Sequence, residues 1–74
     1  MTEGFILSNK YRKVIFAAFT AGETSIDRIA KKHRIVPSIV QRIIQEFLTE
    51  GIIEKHGSWY QLTPEGEKLK VSLQ

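Results

Sequence analysis

The side chains here that could do chemistry fall into three groups: two histidines, a basic run, and a polar set spaced along one later segment. Imidazole serves as a general base and as a metal ligand, so the histidines come first. Neither His33 nor His56 has a carboxylate at catalytic or metal-ligand spacing. A zinc site wants three or four ligands, and the chain has no cysteine to supply them. His33 is expected as a semi-buried turn residue and His56 near the tip of a hairpin. There is also no glycine-rich phosphate loop and no Ser-His-Asp arrangement, so neither enzymatic activity nor a cofactor is expected.

The basic run is RIAKKHR, residues 28–34, carrying Arg28, Lys31, Lys32 and Arg34. Net charge is +3, and it is unevenly placed. Residues 1–42 hold eight Lys/Arg against three acids, and residues 43–74 hold three against five. A solvated helix face is the ordinary meaning of such a run; the other is a surface for a polyanion. The polar set lies in RIVPSIVQRIIQEFLTEG, residues 34–51. At 100° per residue, Ser38, Gln41, Arg42, Gln45 and Thr49 share one side of a helix. Arginine forks onto guanine O6/N7 and glutamine pairs with adenine N6/N7, so this set suits a DNA major groove. Solvated helices use the same residue types. The acids Glu46 and Glu50 fall at the flank of the face, and the basic run precedes it; both features favour DNA.

These residues must be held by a small fold. With 42% apolar and 26% charged residues, the composition is that of a globular domain, expected to span residues 1–74. No apolar run approaches the ~20 residues of a membrane span. The N-terminal MTEGFILSNK has no basic leader, and a cysteine-free chain fits a reducing cytoplasm. Ser8 or Asn9 is expected to cap a first helix running to about Thr20 and ended by Gly22. Tyr11, Val14, Ile15, Ala18 and Phe19 form its apolar stripe; Phe16 lies off it and must meet another element, such as the last helix or a second subunit. Thr24 and Asp27 have the form of a capping box opening a second helix, with Ile26, Ile29, Ala30 and His33 inward. Pro37 belongs in a first turn, so a third helix runs from there to about residue 50, stopped by Gly51. Val40, Ile43, Ile44 and Phe47 face its core side. Val36 and Pro37 are expected to rotate inward, and Ile39 to fall on the boundary.

The period then changes to two. Gly57-Ser58 between β-prone arms is the signature of a type II′ hairpin. That turn pairs Ile53 with Leu62, Glu54 with Gln61, Lys55 with Tyr60 and His56 with Trp59. Ile53, Tyr60 and Leu62 then lie inside and Trp59 outside. Thr63-Pro64-Glu65 opens a short last helix with Leu69 and Leu73, which Gly66 should leave frayed unless it is docked.

This order, together with Ile29-Ala30, Ile35, Val40, Arg42, Glu50-Gly51-Ile52-Ile53, Tyr60 and Leu62-Thr63-Pro64-Glu65-Gly66, resembles the winged helix-turn-helix of small MarR-like and ArsR-like transcription regulators. The resemblance covers about half of the chain. His33 departs from a usual Leu, Arg34 from a usual turn Gly or Asn, and Val36 from a usual Ser or Thr cap. The resemblance implies an α+β, mostly α, fold: a three-helix core, a β-hairpin wing and a short C-terminal helix. It also implies a cytoplasmic regulator that binds double-stranded DNA sequence-specifically. Ser38, Gln41, Arg42 and Gln45 would contact bases. Arg28, Lys31, Lys32, Arg34, Lys55, His56 and Trp59 would contact the backbone. A homodimer through the first and last helices is expected, because one module covers only a half-site. The alternative is a winged helix used as a protein-interaction module, for which the third helix would turn an apolar or acidic face outward.

Overall fold

The computed structural model describes residues 2–73. Its elements are α1 (Thr2–Leu7), α2 (Lys10–Thr20), α3 (Ile26–His33), α4 (Pro37–Thr49), β1 (Ile53–His56), β2 (Trp59–Leu62) and α5 (Pro64–Leu73). The fold is therefore mostly helical, with one two-stranded antiparallel hairpin and a closing helix, compatible with the α+β class. Asn9 caps α2, its side-chain oxygen accepting from the backbone N–H groups of Tyr11 (2.8 Å) and Arg12 (3.1 Å). One cluster of buried side chains unites the elements, with Ile6, Ile15, Ile29, Val40, Ile44, Phe47 and Ile52 sealed from solvent.

Two expectations about the N-terminal region need correction. Residues 2–7 form a helix that the sequence pattern does not announce, because six residues are too few to show a period. Phe16, off the stripe of α2, does not need a second subunit. It is 5% exposed and packs edge-to-face on Phe47 of α4, with ring centroids 6.4 Å apart and planes at 84°. Phe5 of α1 meets the same ring at 6.3 Å. Phe47 is thus gripped from two sides, and α1 completes the core.

Three helices end in the same hydrogen-bond pattern, in which the residue after a left-handed position reaches back five residues. Glu23 donates to the Ala18 carbonyl (3.0 Å), Ile35 to Ala30 (3.0 Å) and Ile52 to Phe47 (2.9 Å). The left-handed residue is Gly22 after α2 and Gly51 after α4, but Arg34 after α3, at φ 54 and ψ 44. This turn also explains why His33 is exposed rather than inward: Ile35 swings back and is buried beneath α3, together with Ala30. The cap of α3 is Ser25, accepting from the Arg28 N–H at 3.4 Å, not Thr24. Thr24 lies one residue earlier and its carbonyl accepts from the Tyr60 N–H (3.0 Å), which ties the hairpin to the start of α3.

The hairpin has the expected register, Ile53 to Leu62, Glu54 to Gln61, Lys55 to Tyr60 and His56 to Trp59. Gly57 has φ +64 while Ser58 does not enter the left-handed region, as a type II′ turn requires. The last helix is docked rather than frayed. Thr63 Oγ1 donates to the carbonyls of Gly51 and Ile52 and accepts from the Gly66 N–H (3.0 Å), so one hydroxyl joins the end of α4 to the start of α5. Gly66 is buried, and a Cβ there would collide with the Ile52 carbonyl oxygen. The glycine allows the helix to sit against that strand-entry backbone.

Candidate nucleic-acid interface

The polar face lies on α4, whose opposite side is anchored by Val40, Ile43, Ile44 and Phe47. With those four in the core, the 3.6-residue period turns Ser38, Gln41, Arg42, Gln45 and Thr49 outward, and all five are exposed. Among the described residues none of the five spends its side chain on a hydrogen bond or ion pair within the chain. Ile39 is half-buried at the border, as the wheel places it. Val36 and Pro37 do not rotate inward. Val36 is 57% exposed and Pro37 is exposed, because the first turn of α4 projects past the core and Val40 is its first fully buried residue. The apolar opening of the helix therefore stands in solvent beside Ser38.

The acid nearest the face is held back. Arg12 of α2 grips Glu46 with two parallel hydrogen bonds, Nε to Oε1 at 3.1 Å and Nη2 to Oε2 at 3.0 Å. The same guanidinium donates through Nη1 to the Phe5 carbonyl (3.2 Å) and lies 4.1 Å over the Phe5 ring. One arginine thus ties α1, α2 and α4 together. The Arg12 hydrogen bonds hold the Glu46 carboxyl below its usual range, and Glu46 in turn raises Arg12. Arg42, one turn earlier on α4, adds a smaller attraction to Glu46. Glu50 is exposed and bounds the polar face at its C-terminal end.

The expected backbone contacts divide. Lys31 and Arg34 are exposed and make no ion pair among the described residues. Arg28 and Lys32 both lean on Glu23, at 3.9 and 3.8 Å, with their own side chains 77% and 61% exposed. Contacts of that length and exposure are weak and can be exchanged for a phosphate. On the hairpin, the pleat separates Lys55 from the other two candidates. Lys55 shares a face with Tyr60, while His56 and Trp59 stack on the opposite face at 4.7 Å and 19°. Trp59 is 43% exposed, so the indole meets water as well as the imidazole it stacks on. Glu54 and Gln61 complete that face, both within 3.5 Å of His56 Nε2.

Comparison with known proteins finds no match: no family model, no curated protein and no solved structure. The interface therefore rests on its own geometry. Among the described residues no helix is long and apolar enough to cross a membrane, and no group of three His, Asp or Glu residues is placed to hold a metal ion. Sequence reasoning missed Arg12. Its partner lies 34 residues away, and no periodicity within one helix reports such a pair. The only signal was an acid, Glu46, on a helix side that borders the core.

Proposed function

We propose that this chain is a winged helix-turn-helix protein that binds double-stranded DNA and regulates transcription. In this account α3 and α4 form the helix-turn-helix, α4 enters the major groove and the hairpin is the wing on the backbone. Ser38, Gln41, Arg42 and Gln45 contact bases. Lys31, Arg34, Lys55, Trp59 and His56 contact phosphates or sugars, joined by Arg28 and Lys32 when they leave Glu23. The observation that carries this reading is the α4 face: five exposed hydrogen-bonding side chains, none acidic, and none spent on a partner among the described residues. A polar strip left unspent beside unpaired cations is complementary to base edges flanked by phosphates. The protein acts without enzymatic chemistry, in the cytoplasm, where a cysteine-free chain is at home.

It works as a homodimer. Between α1, α2 and α5 lies a groove with apolar walls of Ile6, Leu7, Phe16, Ala17 and Leu73, edged by Lys13, Thr20 and Lys70, and Leu7 is 54% exposed. A second copy would cover it and double the DNA contact that one module makes. Sedimentation should give a dimer at micromolar concentration and a monomer for Leu7→Glu. The DNA reading is tested by anisotropy with labelled duplexes across salt concentrations. Affinity should fall log-linearly with salt, by about 0.9 in slope per phosphate contact. Arg42→Ala should relax the choice at one base pair at a loss of ~1–3 kcal/mol. A protein partner is the second reading, favoured by the exposed Val36 and Pro37, and binding that ignores salt would select it.

A further inference from the structure

We propose that Arg12 is a positioning residue for DNA reading, acting by sequestering Glu46 so that Arg42 is left free to reach a base. This rests on the DNA reading of α4. Arg42 and Glu46 stand four residues apart on one helix, the spacing at which side chains of opposite charge meet. They also line the same two surface depressions, one shared with Phe5 and the other with Tyr11 and Arg12. Left alone, Glu46 would pair with Arg42. That pairing would neutralise the guanidinium offered to guanine and set a carboxylate beside the phosphates.

The geometry prevents this. Both Glu46 oxygens are engaged by Arg12, at 3.0 and 3.1 Å, in the planar two-bond arrangement that a lysine cannot supply. Arg12 is itself immobilised by the Phe5 carbonyl and ring, with its side chain only 20% exposed against 32% for Glu46. The consequence is visible at Arg42, which is exposed and has no ion-pair partner among the described residues, although an acid lies one turn away. Helix α1 enters the same device, since Phe5 supplies the surface on which Arg12 is held.

A thermodynamic cycle tests it with the full chain and a duplex chosen by selection from a random library. Arg12→Met should weaken binding about three- to tenfold, the range expected for an exposed carboxylate newly facing Arg42 and the backbone. It should also flatten the preference at the base pair that Arg42→Ala affects. Glu46→Gln alone should bind at least as tightly as the wild type. The double variant Arg12→Met/Glu46→Gln should regain wild-type affinity and preference while its melting temperature stays low, because the ion pair is absent in both. A structural role for Arg12 moves the melting temperature and affinity together and cannot be rescued by removing its partner. If the double variant binds as poorly as Arg12→Met, or if Arg12→Met binds like the wild type, the proposal is overturned. Should Arg12→Met not fold, Arg12→Gln keeps a donor for the Phe5 carbonyl and runs the same cycle with the same outcomes. A wild-type chain that binds no duplex fails the DNA reading instead, before the cycle begins.

Discussion

Arg34→Gly should make the protein more stable and a worse DNA binder. Arg34 occupies the left-handed region, at φ 54 and ψ 44, where Gly22 and Gly51 stand at the two equivalent helix ends. A residue with a Cβ bears about 1–2 kcal/mol there. Glycine removes that strain but gives the unfolded chain more freedom, worth about 0.5–1 kcal/mol in the opposite direction. The arginine side chain is exposed and has no ion-pair partner among the described residues, so nothing else is lost from the folded state. The net is a gain of about 1 kcal/mol, and in a domain of this size that raises Tm by about 4–8 °C. Circular dichroism melting reads the first effect. Duplex titration across salt reads the second, which should be weaker binding with a salt slope shallower by about 0.9, the loss of one phosphate contact. A melting temperature that stays level or falls would refute the strain argument. A stabilised variant with unchanged salt slope would remove Arg34 from the interface.

Gly66→Ala should lower stability by about 1–2 kcal/mol, although alanine favours helices by up to about 1 kcal/mol, because its Cβ meets the Ile52 carbonyl; urea unfolding checks this. Phe16→Ser should cost about 3 kcal/mol in the same assay, because Phe16 is buried in the core against Phe47. Stability should fall in acid partly through Glu46. Its folded carboxyl titrates below the unfolded one, so its contribution is present above the usual carboxylate range and vanishes as pH drops through the lowered value. Glu46→Gln should remove that part of the acid limb in urea titrations at several pH values. Trp59 should emit to the red and be quenched by acrylamide in the free protein, and duplex DNA should shift and protect it; emission indifferent to DNA would take the hairpin out of the contact.

Most of the fold was legible because its signals are local. Asn9, Pro37, Gly51 and the Gly57-Ser58 turn fix element ends through their own backbone chemistry, and the hairpin register follows from the turn alone. The polar side of α4 was legible from its period. What was not legible depends on contacts across the chain. A six-residue α1 has meaning only once Ile6 and Phe5 find the core, and Arg12 only once α2 lies beside α4. Gly66 looked like a defect because helix propensity counts the helix alone, whereas the close approach of Ile52 decides its role. His33 and Val36 were placed inward by extending a helical wheel through residues where the chain turns left-handed or has not yet completed a turn.

Nuclear magnetic resonance titration of the labelled chain with duplex DNA at low salt tests the central claim most directly, since it reports both binding and its location. Amide and side-chain signals of Ser38, Gln41, Arg42 and Gln45 should move most. Arg34 and Trp59 should follow, while Ile6, Leu7 and Leu73 in the groove between α1, α2 and α5 stay in place. No shifts at all, or shifts centred on that groove and sparing α4, would contradict the account.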